Sequence, residues 1–147
     1  MLLVSVTYLL SAIVLYWGWK FGGRPERFAA LAILAWIVID PAQRIIFGSP
    51  RFGKLDWMLF AFDSALAFAL IVIALHANRI WPIFAAGFSL IPVLGHIAVL
   101  LNTEPVQQAY WAINQIPFLL VLLSLMLGAS ANRQRIRSGR ICYDWSP

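Results

Sequence analysis

Five apolar runs, each close to twenty residues, divide the sequence: 2–19, 25–47, 57–75, 81–101 and 109–128. About twenty apolar residues in helical geometry match the roughly 30 Å of hydrocarbon in a bilayer. In lipid every backbone N–H and C=O needs a partner within the protein, which makes each run a helix. The pattern predicts an all-α polytopic transmembrane bundle of five spans, occupying residues 1–131 and followed by a basic tail at 132–147. Composition agrees, since 62% of the 147 residues are hydrophobic, 12% are charged and the mean hydropathy is +0.82, far from the norm for a soluble domain.

The opening MLLVSVTYLLSAIVLYWGWK has no basic stretch at its start and no A-x-A-like cleavage site. Tyr16, Trp17 and Trp19 instead form an aromatic collar before Lys20, the mark of a retained span at an interface. The loops are too short for a separate domain. Thr103, Glu104 and Pro105 read as the start of the fifth helix, as cap, dipole partner and first-turn proline. Cys142 is the only cysteine, so no intrachain disulfide forms.

Charge sets the expected orientation. With the tail inside, five spans place Lys20, Arg24, Arg27, Arg79, Arg133, Arg135, Arg137 and Arg140 on the cytoplasmic side, and Arg44, Arg51 and Lys54 outside. Eight against three is a strong positive-inside bias. The expectation is a multi-pass protein of a bacterial inner membrane, N-terminus outside and C-terminus cytoplasmic. So unequal a distribution argues against balanced dual-topology insertion. The 11 Lys and Arg against 6 Asp and Glu therefore report topology, with membrane lipid and no nucleic acid as partner. Arg133, Arg135, Arg137 and Arg140 are expected to meet anionic headgroups.

Against this background LAWIVIDPAQRIIFG, residues 34–48, is anomalous. Asp40 and Arg44 stand one turn apart inside a span, a spacing that suits an acid–base pair, and Pro41 removes one backbone donor. A helix ending at Asp40 is too short to cross. One continuing through a kink to Phe47 is roughly 34 Å long and sufficient. At ~1.5 Å per residue, Tyr8, Asp40, Asp63, His96 and Asn114 all fall roughly 7 to 11 Å below the outer boundary. Five helices thus contribute to one polar layer, read either as interhelical hydrogen bonding or, because ionisable groups at such depth are costly, as a ligand, ion or proton site.

Helical facing predicts how the layer is built. Ala85, Ser89, Pro92 and His96 share one face of the fourth span, and Tyr110, Asn114, Pro117, Val121, Ser124 and Gly128 share one of the fifth. Small and polar stripes of this kind face other helices. Asp63 shares a face with Ala67, Leu70 and Ala74, while Ala61, Ala65 and Ala69 form a separate small-residue row suited to helix packing.

The sequence has no H-E-x-x-H, phosphate-binding glycine loop, G-x-S-x-G or C-x-x-C, and no cofactor pattern. His76 and His96 lie roughly 15 to 20 Å apart in depth, too far to ligate one haem. The leading expectation is a non-enzymatic binding or transport protein, holding a small ligand or proton among Asp40, Arg44, Asp63, His96, Asn114 and Tyr8. It would act as a homo-oligomer or with a membrane partner. The alternatives are an accessory subunit of a larger membrane complex, docked through the alanine row, and a metal-dependent intramembrane enzyme using Asp40, Asp63 and His96.

Overall fold

Only Gly22 and Gly23 separate α1 (Leu2–Phe21) from α2 (Arg24–Phe47). A side chain at Gly22 would collide with the Glu26 Cβ and the Gly18 carbonyl, so the reversal needs glycine. The computed structural model describes residues 2–48, 56–101, 107–139 and 144–145. The helices α3 (Trp57–His76), α4 (Trp81–Leu101) and α5 (Gln107–Arg137) follow. Asp56 starts α3 by accepting hydrogen bonds from the Met58 and Leu59 N–H groups at 3.0 and 3.2 Å. Thr103, Glu104 and Pro105 lie outside the described residues, as do Arg51, Lys54, Arg140 and Cys142.

Each helix packs against its neighbours in sequence, α5 closes the ring against α1, and α2 also reaches α5. Close approach of α4 and α5 depends on two glycines. A Cβ at Gly95 would stand 2.7 Å from Ile113 Cγ2, and Gly128 is pressed against the Trp81 ring.

Large apolar side chains lie on the outside of the bundle as well as in its core. Leu9, Val38, Phe68, Leu94 and Leu127, one from each helix, are exposed, whereas Asp40, Asp63, Ser89, His96 and Ser124 are buried. Large apolar side chains that face outward from every helix are suited to lipid. Four helical segments, Arg24–Ile46, Trp57–His76, Trp81–Leu101 and Ala112–Arg137, are long and apolar enough to cross a membrane. They mark the chain as a multi-pass membrane protein.

Pro41, Pro92 and Pro117 lie inside α2, α4 and α5, which run through them unbroken. Each proline lacks an N–H, so the carbonyls of Ile37, Phe88 and Ile113 lose their intrahelical donors. These positions flank the polar layer.

One expectation changes. The fifth helix continues past Gly128 to Arg137, because Gly128 seats the Trp81 ring and the residues beyond it include good helix formers such as Ala129, Ala131 and Gln134. Where it is described, the basic tail also packs against the rest of the chain. Asn132 Nδ2 donates to the Phe21 carbonyl at 2.9 Å, and Trp145 forms a single antiparallel bridge with Ala77. The first loop, the α3–α4 turn and the chain's C-terminal part therefore meet at one end of the bundle.

Candidate functional site

Asp63 stands in the second turn of α3, on the face that carries Leu59, Leu66, Ala67 and Leu70 into the bundle. The ridge of small residues on α4 brings His96 against it, and Trp36 approaches from α2. Trp36 Nε1 donates to Asp63 Oδ1 at 2.7 Å, and His96 Nε2 lies 3.0 Å from Asp63 Oδ2. The tautomer of the ring sets which atom donates in this contact. Asp63 is 5% exposed and His96 1%. A carboxylate so buried costs several kcal/mol unless hydrogen-bonded. Here each oxygen has a partner from a different helix.

Aromatic rings hold both partners in place. The Trp36 indole stacks on Phe118 of α5 with centroids 4.9 Å apart, and Phe60 meets the His96 ring edge-on at 5.9 Å. Beside Asp63 lies a cavity of ≈ 20 Å³, bordered by Trp36, Phe88, Ser89, Pro92, Asn114 and Phe118 among others. That volume holds about one water molecule. Ser89 donates its hydroxyl proton to the Ala86 carbonyl at 2.8 Å, which leaves its oxygen lone pairs as acceptors. The polar atoms at the cavity come from four helices, through Trp36, Asp63, Ser89 and Asn114.

The other members of the expected layer are distributed differently. Asn114 is on the cavity wall. Asp40, 9% exposed, pairs within α2, its Oδ1 accepting from Arg44 Nε and Nη2 at 3.2 and 3.0 Å and from Gln43 at 3.5 Å. It therefore forms a second acidic group one turn beyond Trp36. Tyr8 is 41% exposed on α1 and does not border the cavity. Ala61 and Ala65 are exposed and Ala69 is half-buried, so the alanine row faces outward from α3. Arg133 stacks over Phe21 and Trp17, with its guanidinium 4.2 and 5.3 Å from the ring centroids, while Arg135 and Arg137 are exposed at the end of α5. Among the described residues, no three His, Cys, Asp or Glu side chains converge as a metal site.

No protein-family model, curated protein or solved structure matches the chain. The site must be read from its own chemistry.

Sequence reasoning missed a second polar cluster, at the bundle end that carries the first loop. Glu26, fully buried, accepts from the Gly23 N–H through Oε2 and from Trp81 Nε1 through Oε1, both at 2.8 Å. Arg79 Nε stands 3.8 Å from Glu26 Oε1, and Arg79 Nη2 donates to Asp144 Oδ1 at 2.8 Å. Arg79 reads in sequence as a topology signal, yet it and Trp81 are both buried. The signal in the sequence was Glu26, third in its helix, where a carboxylate reaches back to the cap N–H. Gln43 was also missed, although it shares a face with Trp36 and Asp40 seven and three residues earlier.

Proposed function

We propose that the chain is a five-span inner-membrane protein, N-terminus outside and C-terminus cytoplasmic, that binds or conducts a proton or a small polar ligand without covalent catalysis. The observation that carries this reading is the Asp63 carboxylate bridged by His96 and Trp36 at membrane depth. Simple helix association does not require an aspartate there, because interhelical hydrogen bonds contribute only ~1 kcal/mol and an aspartate costs ~2.5 to 3.5 kcal/mol to insert. The Asp63–His96 pair is the proton-holding unit, Asn114 and Ser89 supply polar groups at the cavity, and Asp40 with Arg44 lies toward the outer mouth. A water-sized cavity favours a proton over a larger solute. The gathering of Lys20, Arg24, Arg27, Arg133, Arg135 and Arg137 at one end supports the orientation.

The test is proton flux into liposomes containing the full chain, driven by a potassium diffusion potential and read with an entrapped pH dye. Wild type should exceed empty liposomes, and Asp63→Asn and His96→Ala should each reduce the excess at least roughly tenfold at equal protein content. Unchanged flux in both variants would sink the reading. A second reading, accessory subunit of a membrane complex, is favoured by the outward-facing Ala61, Ala65 and Ala69. It requires a fixed partner that co-purifies and is lost when Ala65 is enlarged.

A further inference from the structure

Asp63 stands thirteen residues, about 20 Å, from the His76 end of α3. Just beyond that far end, the carboxylate of Asp144 sits at the N-terminus of α2. Its Oδ2 accepts from the Arg24 N–H at 3.3 Å and its Oδ1 from Arg79 Nη2 at 2.8 Å. The helix start supplies backbone N–H groups and the positive end of the dipole. Gly23 lets the carboxylate approach, since a Cβ there would lie 2.5 Å from Asp144 Oδ1.

The guanidinium is what exceeds the needs of a carboxylate. The Arg79 side chain is 3% exposed, and its buried Nε and Nη1 have no hydrogen-bond partner among the described residues. Buried donors of this kind are costly to leave unmade. Asp144 binds through both of its oxygens and still leaves these two nitrogens without a hydrogen bond. Glu26 gives Arg79 only a long ion-pair contact, its Oε1 lying 3.8 Å from Nε, and no hydrogen bond. A phosphate group offers an additional acceptor oxygen and matches the two-pronged donor geometry of arginine. Lys20, Arg24 and Arg27, all at this end, raise the local concentration of anions.

We propose that this notch is a phosphate-binding site for which Asp144 is the chain's own competing occupant. The phosphate comes from an anionic lipid headgroup or from free phosphate, and it displaces Asp144 from Arg79 and the start of α2. The Asp144 side chain is 29% exposed, so the notch can be reached without opening the bundle. This inference is independent of the Asp63 reading.

The test uses the full chain with two probes at constant ionic strength. Radiolabelled inorganic phosphate is titrated by equilibrium dialysis against protein in micelles. Retained phosphatidylglycerol is counted by native mass spectrometry after release from nanodiscs of phosphatidylglycerol and phosphatidylcholine. Asp144→Asn keeps the side-chain volume and removes the competing charge. If Asp144 fills the notch about nine-tenths of the time, this variant binds about tenfold more tightly than wild type. Arg79→Lys keeps the charge but loses the fork, and should reverse the gain.

A gain with inorganic phosphate that Arg79→Lys removes supports the site and assigns it to free phosphate. The same pattern with phosphatidylglycerol alone assigns it to lipid. No gain in Asp144→Asn with either probe overturns the proposal, as does a gain that survives Arg79→Lys.

Discussion

The two buried polar clusters solve the same problem, a carboxylate out of water, in different ways. Around Asp63 the partners are an indole N–H and an imidazole from the middles of two helices, with no guanidinium among the described contacts. Around Glu26 and Asp144 the partners are backbone N–H groups at a helix start, an indole and the fixed charge of Arg79. The first cluster holds no fixed cation among its described contacts. The second retains a permanent cation whatever the pH. A site that must load and unload suits the first chemistry, and a clamp joining chain segments suits the second.

The largest effect should follow from breaking the clamp. Arg79→Ala leaves Glu26 buried without its cation and Asp144 without its ion-pair partner, a loss of about 3–5 kcal/mol. Thermal unfolding of the purified protein should show a lower midpoint than any single change at Asp63, and equal midpoints would erase the distinction between the clusters.

Next in size is Gly95→Ala, which drives a methyl group into Ile113 at the α4–α5 contact and should destabilise by about 1–3 kcal/mol. Gly87 is its control. A Cβ added there would meet nothing within 4 Å, and alanine should be tolerated in the same melt.

Trp36→Phe removes one donor from Asp63 while keeping a ring against Phe118. A cost of about 1–2 kcal/mol is expected, together with altered proton flux in the liposome assay. If flux remained at the wild-type level, the indole bond would be structural only.

The smallest effect belongs to Asp40→Asn. Asparagine keeps the side-chain volume and an acceptor oxygen for Arg44 and Gln43, so only the charge of the pair is lost. A shift comparable to that of Arg79→Ala would place Asp40 among the fixed-charge elements. Proximity in the first cluster is open to a direct check: with Cys142 replaced by serine, cysteines at 63 and 96 should be joined by a short thiol crosslinker in native membranes.

The contacts around Asp63 were partly legible because helical periodicity carries them. Asp63 with Ala67 and Leu70, and Ser89 with Pro92 and His96, share inward faces in sequence and in structure. Convergence of those faces needed depth as well, and counting ~1.5 Å per residue supplied it. Tyr8 shows the limit of that count. It has the right depth, but its side of α1 is exposed. The alanine row shows the same limit, since small residues at helical spacing do not reveal whether a neighbouring helix in the same chain covers them.

Segments with no periodicity left still less to read. Nothing in residues 77–81 or near 144 announces that Arg79 and Trp81 are buried, because one turn and the C-terminal part of the chain must meet before those contacts exist.

The sequence by itself determined that the chain is helical, that its helices are long and apolar enough for a membrane, and that ionisable groups interrupt them at particular depths. These follow from local hydropathy and from the rule that backbone groups in lipid bond within their own segment. Only the tertiary structure decided that Asp63 meets His96 and Trp36, while Asp40 turns to Arg44 and Arg79 to Asp144. Those choices depend on the rotation of each helix about its axis and on contacts between residues far apart in the chain, which packing sets and no single segment encodes.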